Sequence, residues 1–445
     1  MTSDSIRLAF YGDDFTGSTD AMEVTAFAGL RTVLFTSIPG DDLLERFRGY
    51  DVIGIAGTSR ARSPEWMEEN LHEAFRALRR LNPRIVQYKV CSTFDSSPEV
   101  GSIGRAVDIG MCEVGGNWSP LVVGAPQLGR WQAFGNLFAR ASDGTYRLDR
   151  HPTMSRHPVT PMKESDLRIH LGMQTERPVT AVFGPDLPAF ETVAQGDAPS
   201  AVFLDVFDEA TQEHAGRIVW TAAMKQRVFS ASSSGLQYAL ISHWRSAGEI
   251  PSIAEEIPKA RPVDHLLVLS GSCSPVTAEQ IDHAESEGFT TIRIDVIAAT
   301  GEDIETELSR LENLVSIGFT QSRGVLVYAA RTVDDPAYSA LEHAAAGRNQ
   351  NFSKAQHMLG DFMGKLVHRL VPKLSLSRIV VAGGDTSGRI IGSLPIQALE
   401  VAHPLAKGVP ICHCHSSDKA FDGLQVALKG GQIGDASLFS RAFGG

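Results

Sequence analysis

The sequence predicts an α/β protein with two domains, each a mostly parallel sheet flanked by helices. The chain has 445 residues, and a single hydrophobic core rarely grows beyond about 250 residues. Short β-branched runs alternate with helical stretches, which is the pattern of βαβ units around a parallel sheet. A polar stretch from 242 to 264 interrupts that alternation. We therefore expect a first domain over 1–245, a linker over 246–264 and a second domain over 265–445.

The first domain begins with three strand candidates, IRLAFYG, TVLFTS and DVIGIAG. Apolar periodicity predicts a helix over about 20–29 and an amphipathic helix over about 63–81. Four further strand candidates follow, PRIVQYKV, SPLVVGAP, TAVFGP and AVFLDVF, and then a helix over 209–224. This number of strands predicts one large sheet. Between 129 and 161 the pattern is that of a hairpin and an irregular loop.

The second domain repeats the alternation of strands and helices. Its strand candidates are HLLVLS, TTIRID, GVLVYAA and RIVVAGG, and a helix is expected over about 354–370. A closing set of short strands is predicted near the C-terminus. The sequence has no fixed-period repeat, which excludes solenoid folds.

Composition and charge exclude several classes of function. The chain has 41 basic and 52 acidic residues, a net charge of -11, and no run of Lys or Arg, so we expect no nucleic-acid partner. No stretch approaches the roughly 18 apolar residues of a membrane span, and the N-terminus does not have the pattern of a secretion signal. Five scattered cysteines fit reduced thiols in the cytoplasm better than a disulfide framework.

Polar residues follow the first strand, at the point where open α/β sheets bind ligands. Asp13 and Asp14 stand there, directly before FTGSTDAME. Such carboxylates accept hydrogen bonds from hydroxyl groups, act as a general base, or hold a hydrated cation. The alternative is that one aspartate caps the next helix and the other is solvated.

Two further polar clusters follow other strands of the same predicted sheet. Ser59 and Arg60 end the third run, and an arginine fork suits a carboxylate, although a surface arginine is the simpler alternative. Lys89, Ser92 and Thr93 end the fourth run. Because the carboxyl ends of parallel strands meet at one edge, we expect the three clusters to form one site.

The second domain carries two loops of small residues that suit a phosphate group. In LLVLSGSCSPVTAEQI a strand meets a Gly- and Ser-rich turn and then a helix, although such turns also occur for conformational reasons alone. RIVVAGGDTSGRII repeats the pattern over 383–388, and Asp385 is a candidate magnesium ligand. Gly430, Gly431 and Gly434 follow near the C-terminus and would allow a close approach of adenine or ribose.

Several familiar motifs are missing from the sequence. It has no GxxxxGK[ST] phosphate loop, no GxGxxG at its first helix and no GxSxG nucleophile elbow. CHCH over 412–415 is an unfavourable zinc site, because a strand places its two thiols and its two imidazoles on opposite faces.

Five motifs together resemble the four-carbon acid sugar kinase family. They are DDFTGSTDAME, TSR, KVCSTFDS, SGSCS and AGGDTSG, and in this order they cover nearly the whole chain. The resemblance implies a sugar-acid domain followed by an ATP domain, with the active site in the cleft between them. It also implies transfer of the γ-phosphoryl group of ATP to a primary hydroxyl of threonate, erythronate or 3-oxo-tetronate.

The same resemblance implies roles for individual residues. The substrate contacts would be Asp13 or Asp14, Ser59, Arg60, Lys89, Val90, Cys91 and Ser92. The ATP contacts would be Ser272, Gly383, Gly384, Asp385, Thr386, Gly430 and Gly431. Asp13, Asp14 and Asp385 are the candidate catalytic bases, and Mg²⁺ would bridge the phosphate oxygens.

This chain departs from the family pattern at the substrate motif. Many relatives read KTDSTLRG where it reads KVCSTFDS, so that Cys91 replaces an aspartate and Asp95 an arginine. The run HPTMSRHPVTPM resembles the family's HPxTPM but adds His151 and Arg156. A branched or oxidised acid such as 3-oxo-isoapionate is therefore an alternative substrate.

Two other functions stay open from the sequence alone. One is a dehydrogenase of sugar acids, which the missing GxGxxG disfavours. The other is a nucleotide sensor without turnover, which the polar clusters of the first domain disfavour. We expect no membrane partner, and a homodimer is the commonest assembly for such a protein.

Overall fold

The structure is a computed structural model that describes residues 6–141, 143–157, 159–190, 200–252 and 256–444. It consists of two units. Unit 1 comprises 6–33 and 37–252, and unit 2 comprises 34–36 and 256–444. The two-domain α/β prediction is confirmed, while the exact domain limits stay a prediction.

Unit 1 is built on four parallel strands. In the order β11, β4, β1, β3, each strand pairs in parallel with the next. A second sheet has the parallel order β5, β10, β9, and a third is an antiparallel meander of β6, β7 and β8. The elements are β1 (Leu8–Gly12), α1 (Phe15–Ala26), β2 (Thr32–Phe35), α2 (Asp41–Glu45), β3 (Val52–Ala56), α3 (Pro64–Arg80), β4 (Ile85–Lys89), α4 (Ile103–Val114), β5 (Trp118–Leu121), β6 (Arg130–Ala133), β7 (Asn136–Arg140), β8 (Thr145–Arg147), α5 (Leu167–Gly172), β9 (Val179–Val182), β10 (Ser200–Leu204), α6 (Glu209–Lys225), β11 (Val228–Ser232) and α7 (Gly235–Ser246).

Unit 2 is a second, mostly parallel sheet. Strands β18, β15, β12, β14 and β13 pair in parallel in that order, and the antiparallel hairpin of β16 and β17 extends the sheet beside β18. The segment 34–36 also belongs to this unit, and Leu34 pairs with Leu399 of β16. The elements are β12 (Leu266–Ser270), α8 (Pro275–Ser286), β13 (Thr290–Arg293), α9 (Val296–Ala299), α10 (Ile304–Gln321), β14 (Gly324–Tyr328), α11 (Pro336–Gly347), α12 (Phe352–Leu374), β15 (Arg378–Ala382), α13 (Gly384–Ser393), β16 (Ile396–Ala406), β17 (Val409–Ser416), β18 (Gln425–Lys429) and α14 (Leu438–Arg441).

The central strands are buried along their whole length, which explains their near-continuous apolar sequences. Every residue of β1, β3, β4 and β12 is buried. Strands of a parallel sheet are covered by helices on both faces, so that neither face tolerates exposed polar residues. Most polar residues of these segments therefore follow the ends of the strands, at the edge that carries the site. Gln87 inside β4 is an exception, and its buried amide donates to the carbonyls of Ser232 and Ser233.

Local signals set the ends of the helices. The hydroxyl of Ser63 caps α3 and Pro64 occupies its first turn, where a missing N–H costs nothing. Asp208 and Thr211 form a capping box at the start of α6. The predicted helix over 63–81 is thus confirmed at almost its full length.

Three expectations about the elements were wrong in part. The first helix begins at Phe15, because Asp14 caps it five residues earlier than the apolar periodicity suggested. The single large sheet expected for the first domain is divided, since β5, β9 and β10 form a separate sheet. The closing strands are not all short, because β16 has 11 residues.

Candidate active site

The turn after β1 places two adjacent carboxylates around one guanidinium. Arg60 donates to Asp13 from Nε (3.0 Å) and Nη2 (2.7 Å), and to Asp14 from Nη1 (2.8 Å) and Nη2 (2.8 Å). Asp13 is buried, whereas Asp14 and Arg60 are partly exposed. The first two predicted clusters therefore meet, as the parallel topology required.

Arg60 is held by the protein and not left free for a ligand. Four of the hydrogen bonds that its guanidinium can donate go to Asp13 and Asp14, and an arginine has five N–H donors. The role expected for Arg60, a fork for the substrate carboxylate, does not fit this geometry. Its charge instead stabilises two adjacent carboxylates that would otherwise repel each other.

The two aspartates differ in their acidity and in their hydrogen bonds. Burial raises the pKa of Asp13, although Arg60 opposes this effect. Burial also works against ionisation of Asp14, yet the charges of Arg60 and Lys89 hold the pKa of Asp14 below its usual value. Asp14 also accepts from Gly17 N (2.9 Å) and Thr16 Oγ1 (2.9 Å), and so it is the N-cap of α1.

Lys89 brings the third predicted cluster to the same place. Its side chain is 2% exposed, and its Nζ lies 4.0 Å from Oδ2 of Asp20 on α1. A Cβ added at Gly17 would lie 2.3 Å from Asp14 Oδ1, 3.1 Å from Lys89 Nζ and 3.4 Å from Arg60 Nη2. The side chains of Asp14, Lys89 and Arg60 therefore pack directly against Gly17. Asp20 was not predicted, because a separation of six residues from Asp14 does not indicate a shared helix face.

The other predicted substrate residues differ in how far their side chains are exposed to a ligand. Ser59 is fully buried with its hydroxyl 2.8 Å from that of Tyr88, and Val90 is fully buried and has no polar group in its side chain to offer a ligand. Cys91 and Ser92 are partly exposed. Burial raises the pKa of the Cys91 thiol to about 11, which makes it a neutral group and not a nucleophile.

The loop that contains HPTMSRHPVTPM is fixed by its own histidines. Nδ1 of His151 accepts from the backbone N–H groups of Thr153 and Met154, and Nδ1 of His157 accepts from Thr160 N. These bonds give His151 a structural task within the loop. One residue of the run, at 158, lies outside the described residues.

Unit 2 contains a cavity of about 220 Å³ whose polar end combines three predicted loops. A Cβ added at Gly271 would lie 2.3 Å from Thr386 Oγ1, one at Gly383 would lie 3.3 Å from Ser272 N, and one at Gly431 would lie 3.1 Å from Ser272 Oγ. The loops after β12, β15 and β18 therefore touch. Gly384 and Asp385 also line this cavity, whereas Gly430 is not among its lining residues.

The polar end of the cavity offers backbone N–H groups to an anion. Helices α8 and α13 both begin there, and neither receives a capping hydrogen bond from the side chain of its N-cap residue. The first N–H groups of a helix have no partner within it and favour negative charge. This end has the chemistry of a polyphosphate site.

Aromatic and aliphatic side chains form much of the remaining lining of the cavity, beside Gln356 and His357 of α12. Tyr338 of α11 and Phe352 of α12 contact edge to face, with ring centroids 4.9 Å apart. An apolar pocket beside a phosphate loop suits the planar base of a nucleotide. This half of the site was not predicted from the sequence, because an aromatic residue on a helix is ordinarily a core residue. Other lining residues include Val296, Ala329, Ala330, Ala337, Leu341 and Leu359.

A buried lysine supports the glycine loop. Lys429 is fully buried, and its Nζ donates to Thr277 Oγ1 (2.7 Å) and to the carbonyl of Gly431 (3.1 Å). Burial lowers the pKa of Lys429 to about 8. Thr277 Oγ1 also lies 3.0 Å from Ser272 Oγ, so this group links the loops after β12 and β18.

No group of three or more His, Cys, Asp or Glu side chains with metal-site geometry occurs within the described residues. Mg²⁺ bound with a nucleotide needs only one or two carboxylates, because phosphate and water supply the rest. Asp385, exposed and lining the cavity, fits that requirement. In β17, Cys412 and Cys414 are buried while His413 is exposed, which is the alternation that made zinc unfavourable.

Two family models match the chain. A model described as "Sugar-binding N-terminal domain" matches residues 8–240, and one described as "Nucleotide-binding C-terminal domain" matches residues 267–439. The chain belongs to the four-carbon acid sugar kinase family. The resemblance drawn from the five motifs is thereby confirmed.

Relatives of this kinase carry consistent names. The 3-oxo-isoapionate kinase of Paraburkholderia graminis is 47% identical over 98% of this chain and 93% of that protein. The 3-oxo-tetronate kinase of Methylobacterium radiotolerans is 29% identical over 98% of this chain and 99% of that protein. The predicted enzyme class, a sugar-acid phosphotransferase with a hydroxyl acceptor, is confirmed. A kinase with a nucleotide-binding domain uses a nucleotide as phosphoryl donor.

Solved structures share the fold of this kinase. A crystal structure from Salmonella typhimurium LT2 has a TM-score of 0.76 and 25% identity, with 98% of both chains covered. A Haemophilus influenzae protein has a TM-score of 0.69 and 23% identity over the same shares, which shows the fold alone. Among the described residues, no helix has the length and apolar character needed to span a membrane.

Proposed function

We propose that this kinase transfers the γ-phosphoryl group of ATP, with Mg²⁺, to a primary hydroxyl of a branched oxo-acid of the 3-oxo-isoapionate type. The observation that supports this substrate is the 47% identity to a 3-oxo-isoapionate kinase over 98% of the chain. The 3-oxo-tetronate kinases are 26–29% identical. Threonate, erythronate and 3-oxo-tetronate, the substrates first expected, become the second candidates.

The substrate hydroxyl would be oriented by the aspartates after β1. Asp14 accepts four hydrogen bonds from Thr16, Gly17 and Arg60, and a carboxylate has about four lone-pair sites. Asp13 accepts only from Arg60 among the side-chain contacts described here, and burial raises its pKa. Asp13 is therefore our candidate for the base that accepts the hydroxyl proton, and Asp14 positions Arg60 and α1.

The triphosphate would lie at the polar end of the cavity in unit 2. Ser272, the glycines at 383, 384 and 431, and Thr386 offer N–H and hydroxyl groups at two helix N-termini. Asp385 would hold Mg²⁺, which neutralises charge on the phosphate oxygens. This role makes Asp385 a metal ligand and disfavours it as the base. Gly430 remains a candidate that only a nucleotide complex can test.

The deciding experiment measures ADP release with Mg²⁺ and ATP against a panel of acids. The panel contains 3-oxo-isoapionate, 3-oxo-tetronate, threonate and erythronate. We expect the highest kcat/KM for the branched oxo-acid. A higher value for a linear acid would replace the proposed substrate, and ATP binding without ADP release from any acid would favour a nucleotide sensor.

The assembly and the location of the enzyme are proposals as well. We propose a homodimer, the commonest assembly of soluble enzymes, and a cytoplasmic location, where five cysteines that form no disulfide within the described residues remain reduced. Light scattering after size-exclusion chromatography tests the dimer. Fractionation of the source cells tests the location.

A further inference from the structure

The site after β1 offers little to the carboxylate of an acid substrate. Arg60 is already hydrogen bonded to Asp13 and Asp14, and the buried Nζ of Lys89 lies 4.0 Å from Asp20. The carboxylates of Asp13, Asp14 and Asp20 thus outnumber the two cations, Arg60 and Lys89. If the substrate is a sugar acid, as proposed above, its negative charge needs a cation that is not yet neutralised.

Two loops of unit 1 begin beside the end of β11. At the end of β11, the carbonyl of Ser232 accepts from Val90 N at 2.9 Å, and Ser233 N donates to the carbonyl of Val122 at 3.2 Å. The loops that follow β4 and β5 therefore begin side by side. The first contains Asp95 and the second leads to Arg130.

Arg130 is a cation that no carboxylate neutralises among the described residues. Its Nε is buried and has no hydrogen-bond partner, and its Nη1 donates only to the carbonyls of Leu128 (3.3 Å) and Gly129 (3.0 Å). Within the part of the chain that the structure describes, no carboxylate forms an ion pair with it. A half-buried guanidinium in this state is costly unless a ligand completes its hydrogen bonds.

Asp95 is the matching anion without a partner. Its Oδ1 is buried and accepts no hydrogen bond, and it forms no ion pair within the described residues. Burial lowers the pKa of Arg130, while the carboxylate of Asp95 is near enough to oppose that effect. Arg130 and Asp95 are both partly exposed, so a ligand at this edge could reach two opposite charges that form no ion pair with each other.

We propose that Arg130 binds the carboxylate of the substrate and that Asp95 accepts a hydrogen bond from a hydroxyl of the same molecule. The partly exposed guanidinium of Arg130 suits this task, because a guanidinium donates charge-assisted hydrogen bonds to a carboxylate. The negative charge of Asp95 would repel a substrate that carried a second carboxylate near it. The pair thereby selects a hydroxylated monocarboxylate.

The test compares each acid with its primary amide in the wild type, Arg130→Gln and Arg130→Lys. Arg140→Gln is the matched control, because Arg140 is exposed on β7 with its guanidinium 5.2 Å from the Trp131 ring. We expect Arg130→Gln to raise the KM of the acid about 10- to 100-fold, the loss typical of a charge-assisted hydrogen bond. The KM of ATP should stay unchanged, and the preference for acid over amide should disappear. Arg130→Lys should keep part of that preference.

The outcomes separate this inference from the proposed function. The inference about Arg130 would be overturned if a folded Arg130→Gln variant kept the preference for acid over amide. It would also be overturned if only Lys89→Gln lost that preference. In either case, turnover of the acid by the wild type would still support the proposed kinase function. No turnover of any acid by the wild type would remove both. If Arg130→Gln does not fold, Asp95→Asn is tested instead. We expect Asp95→Asn to lower kcat/KM for the acid. Its kcat/KM for a deoxy analogue, which lacks the hydroxyl that Asp95 would bind, should not fall. Equal losses with both compounds would overturn the role of Asp95.

Discussion

The ammonium of Lys429 is hydrogen bonded to Oγ1 of Thr277 at 2.7 Å, although the two residues are 152 positions apart. This contact joins the end of β18 to the start of α8. It holds the carbonyl of Gly431 as well, and so it fixes the loop that faces Ser272. The glycine loop near the C-terminus therefore depends on a buried lysine for its shape.

Burial of Lys429 should make the stability of the ligand-free protein depend on pH. The folded pKa is about 8, below the value of 10.5 for an exposed lysine. The unfolded chain binds more protons between these values, so the free energy of unfolding should rise as pH increases from 8 to 10.5. We expect this rise to be on the order of 2 kcal/mol smaller in Lys429→Met. Urea unfolding at several pH values measures it, and an equal rise in both proteins would refute the role of burial.

Substitution of the paired aspartates should separate chemistry from binding. We expect Asp13→Asn to lower kcat about 100- to 10,000-fold, the range for loss of a general base, with little change in the KM of ATP. Asp14→Ala should lower stability by about 1 kcal/mol, because it removes the side chain that caps α1. Steady-state kinetics and thermal unfolding give the two readouts, with exposed Asp41→Asn as the control. Unchanged kcat in Asp13→Asn would exclude Asp13 as the base.

Gly17 should tolerate no side chain. A methyl group there would lie 2.3 Å from Asp14 Oδ1, so Gly17→Ala must displace the carboxylates from Arg60. We expect kcat/KM for the acid to fall at least 100-fold while the Kd of ATP is retained. Gly172→Ala is the matched control, because an added Cβ at this helical glycine meets no atom within 4 Å. Full activity of Gly17→Ala would show that the cluster is not the acid site.

The loop after β15 should require glycine at 383. Gly383 has a φ of +119°, a conformation that side chains rarely adopt, and an added Cβ would lie 3.3 Å from Ser272 N. Gly383→Ala should therefore weaken ATP binding at least 10-fold, which isothermal titration calorimetry measures. Gly392→Ala, in open space on α13, should bind ATP as the wild type does. Equal ATP affinity in both variants would remove the loop from the nucleotide site.

His170 should destabilise unit 1 at acid pH. Burial lowers the pKa of His170 to about 4, below the 6.5 of an exposed histidine. The unfolded chain binds the proton first, so the stability that depends on a neutral His170 is lost as pH falls from 6.5 to 4. His170→Gln, which preserves a polar group near Ser96, should show a smaller loss over this range. Chemical unfolding at pH 4.5 and 6.5 compares the two proteins.

The sequence by itself determined the class of fold, the two domains and the position of most site residues. Parallel strands need apolar sequences and place their loops at one edge, so Asp13, Arg60 and Lys89 were bound to converge. The small-residue loops at 272 and 383–386 were recognisable for the same reason. Family membership followed from motifs that such loops carry.

Only the tertiary structure decided how these residues are used. The pairing of Arg60 with Asp13 and Asp14, the contact of Ser59 with Tyr88 and the unpaired charge of Arg130 depend on side chains from distant segments. The sequence around a residue does not show which distant side chains it will contact. Whether a charge is free or neutralised is a property of its surroundings, and those exist only once the chain is folded.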